Sequence, residues 1–179
     1  MPTFTLISGS VTVKHVEYPA GVKPSSPHIA GEHELGKYWN GSTLQTNPPI
    51  ADQKEALKAD NLARRIARLN EGFEYTFPNG VGVIQTRNDT DLGNVNAVAT
   101  TAIVLQGQGV TDPVISFRDQ GNVTHNLTPA QAIAMGVAVS AFVSAVYANK
   151  WRIDDEIIDV AVDQSEVDAI DLESEWSAI

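Results

Sequence analysis

From Pro129 to about Val160 the sequence holds no further proline and a single glycine, Gly136. An unbroken helix of that length would run roughly 45–50 Å at 1.5 Å per residue. Thr128 is placed to cap it, and Pro129 falls at the first helical position, where its missing N–H is harmless. The first half is apolar on more than one face. Ile133, Val137, Ala141 and Ala145 mark one stripe, and Met135, Val139, Phe142 and Val146 another. A helix apolar on most sides is expected to be buried on most sides. Two hairpins and a second helix would do this in a monomer, and further copies would do it in a dimer or trimer. After Trp151 the pattern narrows to Ile153, Ile157, Ile158 and Ala161. Ser165 to Ile170 reads as a short closing helix, and Trp176 lies near the end.

The elements around this helix follow from periodicity and turn chemistry. Asp52 to Asn70 is predicted helical, with Asp52 as cap, Glu55 three residues on, and Leu57, Leu62, Ile66 and Leu69 near helical spacing. Its other face carries Lys54, Lys58, Arg64, Arg65 and Arg68. That face is either solvated or a docking face for an acidic partner or for the segment Asp154 to Glu175, which holds ten acidic residues and no basic one. Phe73–Phe77 and Val81–Thr86 alternate around Pro78-Asn79-Gly80, which predicts a hairpin. Asn88-Asp89-Thr90-Asp91 offers cap residues for a helix that Gly107-Gln108-Gly109 stops. Val114–Arg118 and Val123–Leu127 predict a second hairpin around Gln120-Gly121-Asn122. The fold class is therefore α+β over residues 51–179, with two β-hairpins and helices around one long apolar helix.

Residues 1–50 read differently. Thr3–Ile7 and Val11–Tyr18 alternate around Ser8-Gly9, which suggests a hairpin. Pro19, Gly21, Pro24, Pro27 and Gly31 follow, a density of breakers expected to forbid regular structure. Lys37 to Leu44 reads as a small hairpin around Asn40-Gly41, and Asn47-Pro48-Pro49 closes the region. With so few large apolar residues, this segment is expected to be an extended, β-containing docking arm that orders against something else. Phe4, Tyr38 and Trp39 are its candidate partner-binding residues, because aromatic side chains bury much area each.

Composition narrows the chemistry. The formal net charge of the 179 residues is -10, which argues against a nucleic-acid partner, since phosphate recognition needs a cationic surface. There is no cysteine, so thiol catalysis and Cys-ligated metals are excluded. The N-terminus lacks the basic and apolar regions of a signal peptide, and no membrane-spanning segment is expected. No catalytic residue and no cofactor site emerges. His28 and His33 beside Glu32 and Glu34 match no metal signature. Asn88 to Gly93 echoes a calcium loop with its glycine at the wrong offset, and helix capping explains it. Asp154-Asp155-Glu156 reads as a polar helix face rather than paired catalytic carboxylates. A glycan hydrolase would need two carboxylates 5–10 Å apart in a cleft, and no such pair is evident.

Three stretches carry a resemblance. One runs Ser116-Phe117-Arg118-Asp119-x-Gly121-Asn122-Val123, then Leu127-Thr128-Pro129-Ala130-Gln131, then the apolar helix to Asn149-Lys150-Trp151, then Val167-Asp168-Ala169-Ile170-Asp171 and Trp176. The second is Arg64-Arg65 followed by Leu69, Gly72-Phe73 and Tyr75. Over residues 62–176 these resemble an uncharacterised domain family found at the C-termini of tailed-bacteriophage tail and tail-fibre-associated proteins. Tyr38-Trp39-Asn40-Gly41 before Pro48-Pro49 is similar to the linkers of such proteins. The resemblance implies a structural part of a phage tail: tail tip, baseplate or tail fibre. Its partners would be other tail proteins and further copies of itself in a symmetric assembly. It would be made in the host cytoplasm and carried in the virion. The alternative is a tail-fibre assembly chaperone that leaves. Neither role implies an enzyme, and no catalytic residue is carried over.

Overall fold

The computed structural model describes residues 3–8, 11–17, 28–30, 37–39 and 44–177. They fall into two units, Met1–Leu57 with Ala161–Ala169, and Lys58–Val160 with Ile170–Ile179. The expected division at residue 50 lies inside the turn that starts the first helix.

In the first unit the segment expected to be an extended arm is a five-stranded antiparallel sheet. Its strands are β1 (Thr3–Ser8), β2 (Val11–Glu17), β3 (His28–Ala30), β4 (Tyr38–Trp39) and β5 (Leu44–Gln45), in the order β3-β1-β2-β4-β5. The expectation that prolines and glycines forbid regular structure from Pro19 to Gly31 fails at β3. Three residues between Pro27 and Gly31 suffice, because β1 supplies the pairing partner: Phe4 faces Ala30 and Leu6 faces His28. Buried Thr12 joins β2 to the start of β4. Its N–H donates to the Lys37 carbonyl at 2.8 Å, and the Lys37 N–H donates back to Thr12 Oγ1 at 3.0 Å. The turns at Ser8-Gly9 and Asn40-Gly41 lie wholly or partly outside the described residues.

Helix α1 (Ile50–Glu71) begins before the expected cap. The Pro49 carbonyl accepts from Gln53 N–H at 3.1 Å, so Asp52 sits in the first turn, where its charge opposes the helix dipole, and does not cap. The first unit closes with α4 (Gln164–Asp168), capped by Asp163, and the side-chain amides of Gln53 and Gln164 bond reciprocally at 2.8 and 2.9 Å.

The second unit holds the rest of α1, hairpin β6 (Phe73–Phe77) and β7 (Gly80–Ile84), α2 (Asp89–Gly107), hairpin β8 (Ile115–Arg118) and β9 (Thr124–Leu127), α3 (Pro129–Arg152) and α5 (Leu172–Trp176). The α+β class and the long apolar helix are as expected. Its caps are also those expected: Asn88 accepts from Asp91 N–H at 3.0 Å, and Thr128 and Gln131 form a reciprocal capping box. The core gathers Phe77, Ile84, Val95, Ala102, Ile115, Leu127, Met135 and Val139 from both hairpins and both helices.

Two expectations about the long helix need correction. First, it is not one α-helix to Val160. At Ile153 it passes into a π-helical turn, Ile153–Ile158, closed by Asp159 N–H donating to the Asp154 carbonyl at 2.9 Å. Second, it is not buried on most sides. Eight of the 24 residues of α3 are buried, and apart from the adjacent Met135 and Gly136 they recur at three- and four-residue steps on one side. α2, the hairpins, α1 and α5 meet it on that side. The span Pro129–Ile158 is also long and apolar enough, by length and composition, to cross a membrane. The sequence alone leads to no such expectation, although Gln131, Ser140 and Ser144 do not lower the mean hydropathy of the span enough to exclude it.

Candidate docking surfaces

One sheet carries the three candidate arm residues, Phe4 on β1 and Tyr38 and Trp39 on β4. Phe4 stands opposite Val16 on β2, whereas Tyr38 stands opposite Val11, five residues along the same strand. At 3.3 Å per residue this separates them by about 16 Å. Trp39 pairs with Leu44. Half-buried Tyr38 lines an open cleft of about 500 Å³ with Pro48, Gln53, Leu57 and Val167, all of the first unit.

The basic face of α1 is not a bare solvated face. Lys58 meets Asp159 at 2.7 Å and Arg64 meets Glu173 at 2.7 Å. The Glu173 hydrogen bond raises the Arg64 pKa. Arg65 lies over the Tyr147 ring and Arg68 over the Phe142 ring, each 4.7 Å from the centroid. Of the two readings left open, docking of the acidic C-terminal segment is the one realised at Lys58 and Arg64.

The acidic triplet also divides. Asp155 and Glu156 are exposed, but Asp154 turns inward. It pairs with Lys150 and accepts from Asn61 Nδ2 at 2.7 Å. Asn61 is fully buried, donates also to the Lys150 carbonyl at 3.0 Å, and accepts from Trp176 Nε1 at 2.9 Å. This buried polar network locks α1, the π turn and α5 together. The expected picture of three carboxylates repelling one another on a wet face is therefore replaced at Asp154.

Asp119 and His125 have the composition of a catalytic dyad. His125 Nε2 lies 3.1 Å from Asp119 Oδ2, and Nδ1 bonds Asn79 Oδ1. Yet the ring is 1% exposed, is stacked on Phe77 at 3.7 Å, and has both nitrogens engaged. The other Asp119 oxygen accepts from Val123 N–H at 2.8 Å. The His125 hydrogen bond, seconded by that N–H, holds the Asp119 carboxyl below the usual carboxylate range. The pair fixes the β8–β9 turn against the β6–β7 turn and leaves no nitrogen for a substrate. At the other suspected site, Asp91 is taken up by Arg87 at 2.9 Å, which lowers its pKa. Among the described residues, no three His, Asp or Glu side chains gather as a metal would require. His33, Glu32 and Glu34 lie outside those residues.

The most extensive feature that the periodicity reading missed is the outer side of α2 and α3. Residues 92–111 and 129–149 contain no charged side chain. The two helices run antiparallel: Leu92 lies beside Val143 in one groove, Gln106 beside Pro129 in another, and a Cβ on Gly136 would come 2.7 Å from that of Ala99. Ile103 is 59% exposed and Val137 64%. On α3 the residues Ala130, Ala134, Val137, Ala141, Ser144, Ala148 and Trp151, alternately four and three apart, are all exposed. The signal was present in the sequence as two charge-free runs in a strongly charged chain. A helix with one wet face normally carries charge there, and this face carries none.

The fold is α+β, with Asp154, Asp119 and His125 buried in hydrogen-bond networks that hold its elements together. The chain belongs to the family described as domain of unknown function DUF4376, whose model matches residues 52–173. The match starts at Asp52 rather than at residue 62, so all but the first two residues of α1 belong to the family domain. No curated protein and no solved structure matches the chain.

Proposed function

We propose that this chain is a structural component of a bacteriophage tail that works by protein–protein docking, without catalysing a reaction. The observation that carries the reading is the exposed, charge-free face of α2 and α3. A soluble chain of net charge -10 gains nothing in water by leaving two helices without charge, whereas a subunit held in an assembly gains buried apolar contact there. The resemblance of residues 62–176 to tail and tail-fibre-associated proteins supports the phage setting. The sheet of residues 1–50 would add a second contact, with Phe4, Tyr38 and Trp39 as its aromatic anchors. Mass spectrometry of purified particles tests this: stoichiometric chain in the virion is expected. Its absence, with misfolded fibres when the gene is deleted, would instead identify the assembly chaperone. Trp39→Ala is expected to reduce incorporation while leaving the melting temperature of the domain unchanged.

A further inference from the structure

We propose that the outer face of α2 and α3 binds the same face of a second copy of this chain, forming a two-fold dimer. The inference rests on the docking reading and names its first partner. Charge is the reason for choosing a second copy. With net charge -10, two copies repel wherever charged surfaces meet, and this face is where they can approach without opposing like charges. Spacing supports the same occupant. Ala134, Val137, Ala141, Ser144 and Ala148 are exposed at alternating three- and four-residue steps, the pattern that meshes one helix with another. A two-fold axis near Ala141, close to the middle of α3, would set the helix antiparallel to its own copy, as an isologous contact requires. The area is sufficient. Two helices about 30 Å long lying 8–10 Å apart present about 600 Å², or about 1,200 Å² for a pair, the lower bound of stable interfaces. A bilayer fits less well, because Asn96, Thr100, Ser140 and Ser144 are exposed among the apolar residues and hydrocarbon would leave their polar atoms unpaired beyond what the helix itself can satisfy.

Sedimentation of the purified full chain from low micromolar to about 100 μM tests the inference. A species of twice 19.2 kDa is expected. Val137→Glu, exposed and so compatible with the fold, should bury an unpaired charge against the apolar face of the partner copy and weaken association at least about 30-fold. Because the chain has no cysteine, Ala141→Cys gives a second readout that does not depend on a destabilising variant. It should oxidise to a covalent dimer, and Asn70→Cys on α1 should not. The inference is overturned if the wild type stays monomeric throughout, if the dimer survives Val137→Glu undiminished, or if both cysteine variants crosslink alike. It is also overturned if the monomer instead binds phosphatidylcholine–phosphatidylglycerol vesicles through this face. A monomer that particle mass spectrometry still finds in the virion would refute self-association and leave the docking function standing.

Discussion

Trp176 donates its indole N–H to Asn61 Oδ1 at 2.9 Å, linking residues 115 positions apart in the chain. Asn61 spends its two donors on Asp154 and the Lys150 carbonyl, so one buried amide holds three elements. Asn61→Leu keeps the branched shape but leaves an indole N–H and part of a carboxylate unpaired away from water. A loss of about 3 kcal/mol is expected, read as a lower urea midpoint at unchanged slope. A loss under about 0.5 kcal/mol would mean that water or Lys150 replaces the amide.

The two parts of the Trp176 contribution separate by substitution. Trp176→Phe removes the donor and keeps most of the ring, and should cost about 1 kcal/mol. Trp176→Ala also opens a cavity and should cost about 3–5 kcal/mol. Equal losses for the two variants, measured by chemical denaturation, would show that packing contributes nothing at this position.

Acid sensitivity follows from Asp119 and Asp91. Both carboxyls are held below their ordinary value of 3.8, Asp119 first by His125 and Asp91 first by Arg87. Above pH 3.8 both states of the chain carry these charges, and the folded state keeps the full advantage. As pH falls from there through the depressed folded values, the unfolded chain takes up protons first and the advantage is lost. The melting temperature should therefore drop below about pH 4, and Asp119→Asn should flatten that drop while lowering the plateau at neutral pH. An unaltered acid limb in Asp119→Asn would exclude the pair as its source.

The same substitution should act with opposite sign at two helical glycines. A methyl on Gly136 would come 2.7 Å from Ala99 Cβ, so Gly136→Ala must push α2 from α3 and should cost about 1–3 kcal/mol. Gly93 in α2 faces open space, and Gly93→Ala should add about 0.5–1 kcal/mol through helix propensity. Thermal melts of the two variants check both signs.

What could be read from the sequence was local. The caps at Asn88 and Thr128 and the turns that join Phe73–Phe77 to Gly80–Ile84 and Ile115–Arg118 to Thr124–Leu127 depend on residues a few positions apart, and they fall where expected. The misses depend on distant partners. Strand β3 exists because β1 lies beside it, not because three residues between breakers favour a strand. Asp154 reads as one of three surface carboxylates until Asn61 and Lys150 are placed beside it. The one-sided burial of α3 was misjudged because apolar character on several faces says that contact is wanted, not that the same chain provides it. Asn61 carried no signal, being a lone amide in an otherwise amphipathic helix.

The π turn at Ile153–Ile158 sets a condition on length. Ile153 and Ile158 are both fully buried, although five steps of about 100° would set them well apart around an α-helix. The wider turn absorbs the surplus residue and brings them back to one side. Removing Asp155 or Glu156, two exposed acids that the bulge carries outward, would let ordinary winding resume. Four steps of about 100° would then separate Ile153 from Ile158, and every side chain from Ile157 onward would keep its face relative to the upstream helix. The surplus residue and the wide turn thus come together, and a homologue one residue shorter here should replace the π turn by an ordinary helical one and keep the buried isoleucines on one side.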